Sequence, residues 1–349
     1  MNPRNLSSDK ILIVRTDRLG DVVLTLPMAR ALKQAFPKNH VSFLVRSYTQ
    51  PIVERSQHVD EVLLAEPEIS FLELIRTFRK AGADAVFLPS PRFRLAMAAW
   101  LARIPMRIGT GFRWYSFLFS HRIFEHRKTA EHHEAEFNLR MLTALGISAS
   151  KDELPDIRLR SEEREAVDEW LVSHLGNPSA KFAVLHISNG GSAMAWPAQN
   201  FIELGRMIVE RYGMTIILTG LRQEAIILDE VARSIGIRAA YVFAGHSLPE
   251  LAALLERASV VVASSTGPGH LAAALGVNTV GLFPLPLAIS KERWGFRGPR
   301  AWNLSPEPLA ECPTCDHCTC MERLEVQSVW NGVETSLHSH REKFFVKDV

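Results

Sequence analysis

Two carboxylates, Asp17 and Asp21, flank Gly20 in TDRLGDVVLTLP (16–27), directly after the apolar run ILIV. A connector from strand to helix needs one N-terminal cap, not two acids, so general-base chemistry competes with simple capping here. Three further clusters hold chemistry-bearing residues. SSTGPGHLAAALG (264–276) places Thr266 and Gly267 at a helix start, where a hydroxyl and backbone N–H groups can face an anion, with His270 in the first turn. An ordinary strand-to-helix turn reads the same way. In HISNGGSAMAWP (186–197), Ser188 and Asn189 leave a strand, and Gly190 and Gly191 permit close backbone approach. TGLRQE (219–224) ends on Glu224, which suits the two hydroxyls of a ribose or, more plainly, a solvent-facing acid in a first helical turn. On three strand ends of one domain, the clusters together read as a site for a nucleotide diphosphate.

All four cysteines lie in CPTCDHCTC: Cys312, Cys315, Cys318 and Cys320, with His317 among them. Four thiolates can surround zinc or iron. Such tight spacing without a distant second pair suits free thiols as well, and a reducing compartment disfavours a disulfide.

The elements that must position these groups alternate. KILIVRT, VSFLVR, EVLLAE and DAVFLPS read as strands, with helical spacing between them in VVLTLPMARALKQAF and FLELIRTFRKAG. A polar stretch, ASKDELPDIRLRSEEREAVDEW, precedes a second series that opens with KFAVLHIS. This order predicts an α/β chain of two Rossmann-like domains facing a cleft, 1–165 and 166–349, with every polar cluster at the carboxyl end of a strand. At 349 residues, two domains is the natural division. There is no G-x-x-x-x-G-K-[ST] loop and no G-x-G-x-x-G after the first strand, which disfavours a P-loop phosphotransferase and an ordinary dinucleotide dehydrogenase.

Net charge is +2, but residues 1–150 carry +7 and the remainder −5. Between Arg92 and Lys128, eight cations, among them Arg92, Arg94 and Arg107, face one acid, Glu125. A solvated basic surface explains this, as does a site for a phosphorylated sugar or acidic lipid headgroup. Nucleic acid is disfavoured, since no nucleic-acid motif accompanies the charge. The interleaved FRWYSFLF fits either a surface that grazes a membrane or a helix core. The start MNPRNLSSDK lacks a signal-peptide apolar region, and no apolar run reaches the length of a span, so the expected location is the cytoplasm.

ILIVRTDRLGDVVLTLP, GGSAMAWPAQNFIELG and SLPELAALLERASVVVASSTGPGHLAAALGVNTVGLFP occur in the order seen in the ADP-heptose:lipopolysaccharide heptosyltransferases, glycosyltransferase family 9. CMERLEVQSV resembles the terminal signature of that family, and EFNLRMLTALG the stretch that closes its first domain. The resemblance implies a GT-B fold whose first domain takes the acceptor and whose second takes the donor, with the last helix returning to the first domain. It implies inverting sugar transfer without a metal in the chemistry, any zinc or iron at the cysteines being structural. Asp21 matches the family's general base, Asp17 then organising the turn. Ser188 and Asn189 match residues at phosphate, Glu224 the ribose-binding acid, and Thr266, Gly267 and His270 the loop at diphosphate and sugar. The implied partners are ADP-heptose, a lipopolysaccharide core acceptor met by the basic segment with Arg92, Arg94 and Arg107, and the inner face of the cytoplasmic membrane.

The chain departs from the family at two positions. Met194 stands where the family usually has Lys or Arg two residues before Trp-Pro, leaving Arg222 or Lys291 to substitute. Ser265 stands where inner-core heptosyltransferases often carry Asp before Thr-Gly. These departures keep two alternatives open: another nucleotide sugar serving a surface glycan or protein, and a degenerate sugar-nucleotide-binding protein.

Overall fold

The structure, a computed structural model, describes residues 10–188, 194–308 and 319–338. The chain forms two compact units that divide between Arg158 and Leu159. The division falls ahead of the 165/166 boundary expected from sequence because Ser161–Leu175 is a single helix that packs on Leu248–Arg257 within the second unit.

The first unit is a six-stranded sheet of β1 (Lys10–Val14), β2 (His40–Val45), β3 (Glu61–Leu64), β4 (Ala85–Phe87), β5 (Met106–Thr110) and β6 (His121–Ile123). All pairings are parallel, in the order β3-β2-β1-β4-β5-β6. Parallel strands covered on both faces need unbroken apolar runs, and ILIV supplies one. Ile11 and Ile13 enter one core cluster with Leu26 and Phe43, whereas Leu12 and Val14 enter the opposite cluster with Leu74 and Phe78. Local signals agree with the packing. The helix Phe71–Ala81 begins with a capping box in which the Glu73 N–H donates to Ser70 Oγ at 3.2 Å and the Ser70 N–H returns to Glu73.

VVLTLPMARALKQAF is not one helix. Pro27, with no N–H to donate, ends the short helix Leu19–Val23 beyond a turn and begins a second, Pro27–Ala35.

The second unit repeats the plan with β7 (Phe182–His186), β8 (Thr215–Gly220), β9 (Ala240–Ala244), β10 (Val260–Ser264), β11 (Thr279–Leu282) and β12 (Ala301–Leu304). Its order is β12-β11-β10-β7-β8-β9, again all parallel. In each unit the chain starts centrally, winds outward over three strands, and crosses back to build the other half. The switch points, where such sheets hold ligands, lie between β1 and β4 and between β7 and β10. The last described helix, Val326–His338, packs on the second unit's own sheet through Val329, Trp330 and Val333. The segment expected to return to the first domain, residues 333–349, belongs to this helix as far as His338, with Val333 in the second unit's core, and residues 339–349 lie outside the described residues. Among the described residues, no helix is long and apolar enough to cross a membrane.

Candidate active site

At the first switch point, Arg15 follows β1 directly and is buried. Three carboxylates converge on it. Its Nε lies 3.3 Å from Asp17 Oδ2, its Nη2 donates to Asp21 Oδ1, and the same Nη2 stands 3.4 Å from Glu134 Oε1. Burial works to lower the Arg15 pKa, but Asp21, Glu134 and Asp17 outweigh it and raise the value. Outer partners balance the outer acids. Arg92 donates to Asp17 Oδ1 at 2.7 Å, and Arg127 donates to Glu134 Oε1 and, at 3.1 Å, to Asn138 Oδ1. Asn138 in turn donates to the Leu24 carbonyl and to Thr25 Oγ1, both at 3.1 Å, and Thr25 Oγ1 donates to the Asp21 carbonyl at 2.7 Å. The ring of contacts closes on Asp21.

Asp21 lies in the first turn of Leu19–Val23, yet no side chain caps that helix, so its carboxylate is not a cap. Its side chain is 18% exposed, against 13% for Asp17 and 3% for Glu134. Its Oδ1 is held by Arg15, the one side-chain hydrogen bond the carboxylate makes with the described residues. A partly exposed carboxylate with one oxygen free of hydrogen bonds can accept a proton from a bound hydroxyl.

The three arginines expected at the acceptor separate. Arg92 joins this cluster through Asp17. Arg94 and Arg107 do not: Arg94 donates to the Pro67 and Ile69 carbonyls, and Arg107 to those of Leu118, Ile104 and Pro105. Their guanidiniums are spent on satisfying loop backbone, and burial lowers the Arg107 pKa. Beside the cluster, at the ends of β4, β5 and β6, a cavity of about 290 Å³ is lined by Pro91, Phe112, Arg113, His126, Arg127 and Phe137, among others.

In the second unit, the order β10-β7-β8 sets three of the sequence clusters side by side. Ser188 Oγ donates to Glu224 Oε1 at 2.9 Å, and the Leu221 N–H donates to Glu224 Oε2 at 2.7 Å, so the acid is aimed by both neighbouring strand ends. Gly220 makes room for it: a Cβ there would lie 2.9 Å from Glu224 Oε2. Behind this pair His186 Nδ1 is 2.8 Å from Thr219 Oγ1, and burial, opposed by Glu224 and Thr219, pushes the His186 pKa down to about 4. Thr266 opens the helix Gly267–Ala274 without a side-chain cap bond, and its buried Oγ1 has no partner among the described residues. His270 is buried and meets the Phe296 ring edge-on at 4.9 Å, and Gly269 is glycine because a Cβ would lie 2.0 Å from that ring. Asn189 lies outside the described residues.

Cys312, Cys315, His317 and Cys318 also lie outside them. Cys320 is buried in the core of the second unit, 3.9 Å from Met194 Sδ, and the described residues contain no group of three or more metal-ligating side chains. Its described surroundings are those of a core residue. Nearby, Trp196 Nε1 donates to the Leu324 carbonyl at 2.8 Å, joining the Trp-Pro motif to the terminal CMERLEV segment.

Arg15, Thr25, Glu134 and Asn138 were not legible as site residues, and Arg127 was legible as one of the cations of the basic segment. The only local signal was a cation ending a buried apolar run, since Arg15 meets Glu134 across 119 residues.

Two doubly wound parallel units, each with its polar groups at a switch point, define an α/β protein of the GT-B class. The sequence pattern of glycosyltransferase family 9 (heptosyltransferase) matches residues 71–305, and the chain belongs to this family of glycosyltransferases. It is 26% identical over 337 residues to a Haemophilus influenzae protein named "Putative glycosyltransferase", covering 93% of this chain and 95% of that one. It is 25% identical over 289 residues to the Escherichia coli K12 lipopolysaccharide heptosyltransferase 3, covering 76% and 79%. In fold it is similar to a Veillonella parvula glycosyl transferase of family 9, with a TM-score of 0.82, 22% identity and coverage of 96% and 99%. The E. coli heptosyltransferase WaaC with ADP gives 0.70, 20% identity, and 93% and 99%.

Proposed function

We propose that this enzyme transfers heptose from ADP-heptose to a lipopolysaccharide core acceptor, with inversion at the anomeric carbon. The observation that carries the reading is Asp21, a partly exposed carboxylate held through one oxygen by a buried arginine, with no described residue bonded to the other. Asp21 Oδ2 takes the proton of the acceptor hydroxyl as the hydroxyl oxygen bonds to the anomeric carbon, and the bond to the diphosphate oxygen breaks with its electron pair leaving on ADP. The first unit takes the acceptor, with Arg92 and the cavity beside Arg127 on its side of the reaction. The second unit takes the donor: Glu224 and Ser188 at the ribose and phosphate, and the helix start at Thr266 and Gly267 at the diphosphate, whose developing charge the helix dipole and N–H groups stabilise. His270 serves by packing behind that loop. The reaction needs no cofactor, and the protein works at the inner face of the cytoplasmic membrane. Family membership, the heptosyltransferase relative and the ADP-binding fold neighbour all support the donor class.

The test is transfer from ADP-heptose to heptose-deficient lipopolysaccharide, read by mass spectrometry, with Asp21→Asn alongside. A heptose added by the wild type and lost in the variant supports the reading. Absence of product with ADP-heptose alongside product from another nucleotide sugar would replace the donor.

One departure from the family pattern concerns the leaving diphosphate. Met194, standing where the family usually has a cation, turns its thioether into the core against Cys320. Arg222 is the cation placed to compensate: it lies over the Gly245 backbone at the end of β9, two residues from Glu224, and pairs with no acid among the described residues.

A further inference from the structure

FRWYSFLF is not a helix core. It forms a loop between β5 and β6 containing one 3₁₀ turn, Ser116–Leu118. Its side chains divide: Tyr115, Leu118 and Phe119 are buried, while Trp114 and Phe117 are 72% and 63% exposed. Phe124, just past β6, is 65% exposed. Eight large aromatic side chains are exposed among the described residues, and six of them (Phe93, Trp100, Phe112, Trp114, Phe117 and Phe124) fall within this one stretch of the first unit. Four of them meet in two pairs. Phe93 and Trp114 have centroids 4.8 Å apart, and Phe112 meets Phe124 edge-on at 5.7 Å. Scattered exposed aromatics need no explanation, whereas a clustered set marks a binding surface.

The charge of the surface identifies the occupant. Arg103, Arg113 and Arg122, in the same stretch of chain, are exposed and form no ion pair with any described residue. The one acid of the stretch, Glu125, is already paired with Arg140. Rings that sit at a headgroup level and unpaired arginines in the same stretch complement an anionic bilayer, which offers apolar depth and negative charge together. A soluble anion would use the arginines and leave the rings in water.

We infer that this aromatic and basic face docks the first unit on an anionic lipid bilayer, through Trp114, Phe117 and Phe124 as wedges and Arg103 and Arg122 as headgroup contacts. The inference deepens the proposed reading of a lipid-linked acceptor by assigning the surface that brings the enzyme to it.

Vesicle co-sedimentation of the full chain, with no donor or acceptor present, tests it. The probes are phosphatidylcholine vesicles with and without about one-third phosphatidylglycerol. The wild type is expected to sediment with the anionic vesicles, to be released by high salt, and to stay in solution with pure phosphatidylcholine. Trp114→Ser with Phe117→Ser should keep the wild-type Tm and transfer to a water-soluble acceptor fragment, yet bind anionic vesicles about tenfold more weakly or less. Arg103→Gln and Arg122→Gln should each weaken binding about fivefold. Wild type that remains in the supernatant at low salt, or an aromatic double variant that binds as wild type, would overturn the inference. So would a concentration-dependent dimer, seen by sedimentation velocity and lost in the double variant, which would give the face to a second copy. Since no sugar enters the assay, failed docking leaves the transfer reading standing, and failed transfer leaves the docking result standing.

Discussion

Arg15 and Glu134, 119 residues apart in the chain, meet at 3.4 Å inside the first unit. Their contact is the centre of a balanced set of three acids and three arginines: Arg92–Asp17, Arg15–Asp21 and Arg127–Glu134, cross-linked through Arg15. A lone buried charge would cost several kcal/mol, and a balanced, hydrogen-bonded set avoids that cost while fixing each carboxylate in place. The set also spans the switch point, since Asp17 follows β1 and Arg92 follows β4.

Asp21 and Asp17 should therefore differ when neutralised. Asp21→Asn is expected to lower kcat by about 10²–10⁴-fold, the range of a general base. Asp17→Asn, which weakens the pairing with Arg92 and Arg15 but leaves the proton acceptor in place, should cost about tenfold or less. Steady-state kinetics of the pair checks this, and equal losses would move the base assignment away from Asp21.

Glu134 touches no expected substrate position, so it acts through Arg15. Glu134→Gln leaves two guanidiniums facing a neutral amide and should cost roughly 3–5 kcal/mol of stability. In the fraction that remains folded, kcat should fall with the donor KM unchanged, because Asp21 loses its fixed orientation. A rise in donor KM with normal kcat would contradict this role.

The donor side offers a second, separable prediction. A Cβ on Gly220 would stand 2.9 Å from both Glu224 Oε2 and Leu228 Cδ1, the far ends of flexible side chains. Gly220→Ala should thus displace Glu224 without unfolding the unit. Loss of a hydrogen bond to a charged group predicts a donor KM raised roughly tenfold to a hundredfold, as for Glu224→Ala, with Tm near that of the wild type. Isothermal titration with ADP provides the check.

His186 makes stability depend on pH. Its folded pKa of about 4 lies below the ordinary 6.5 because burial disfavours the imidazolium, with Glu224 and Thr219 opposing. Between those values the unfolded chain binds a proton that the folded one does not. Stability contributed by this group is present above pH 6.5, falls as the pH drops toward 4 by roughly 3 kcal/mol, and falls no further below. Urea midpoints measured near pH 7 and near pH 5 should fall less steeply for His186→Gln than for the wild type. Parallel slopes would place the titration on another residue.

Much of the protein was readable residue by residue. Apolar runs such as ILIV and capping signals such as Ser70 with Glu73 act over a few positions, so strand and helix order, and with them two parallel α/β units, follow from local patterning. The strand-end clusters at Asp21, Ser188, Glu224 and Thr266 were legible because short polar motifs interrupt apolar ones. Other features depended on distant partners. Pro27 split an amphipathic run that read as one helix, and Arg94 and Arg107 turned to loop carbonyls that composition alone does not reveal. Arg15 is a charge at the end of a buried strand, and nothing near it in the chain says which acids it holds. Burial removes water as a partner for that charge, so its interactions had to come from wherever folding brought carboxylates within reach. Sequence determined the elements and the chemistry they carry, and only tertiary packing decided which charges meet and which carboxylate oxygen is left open.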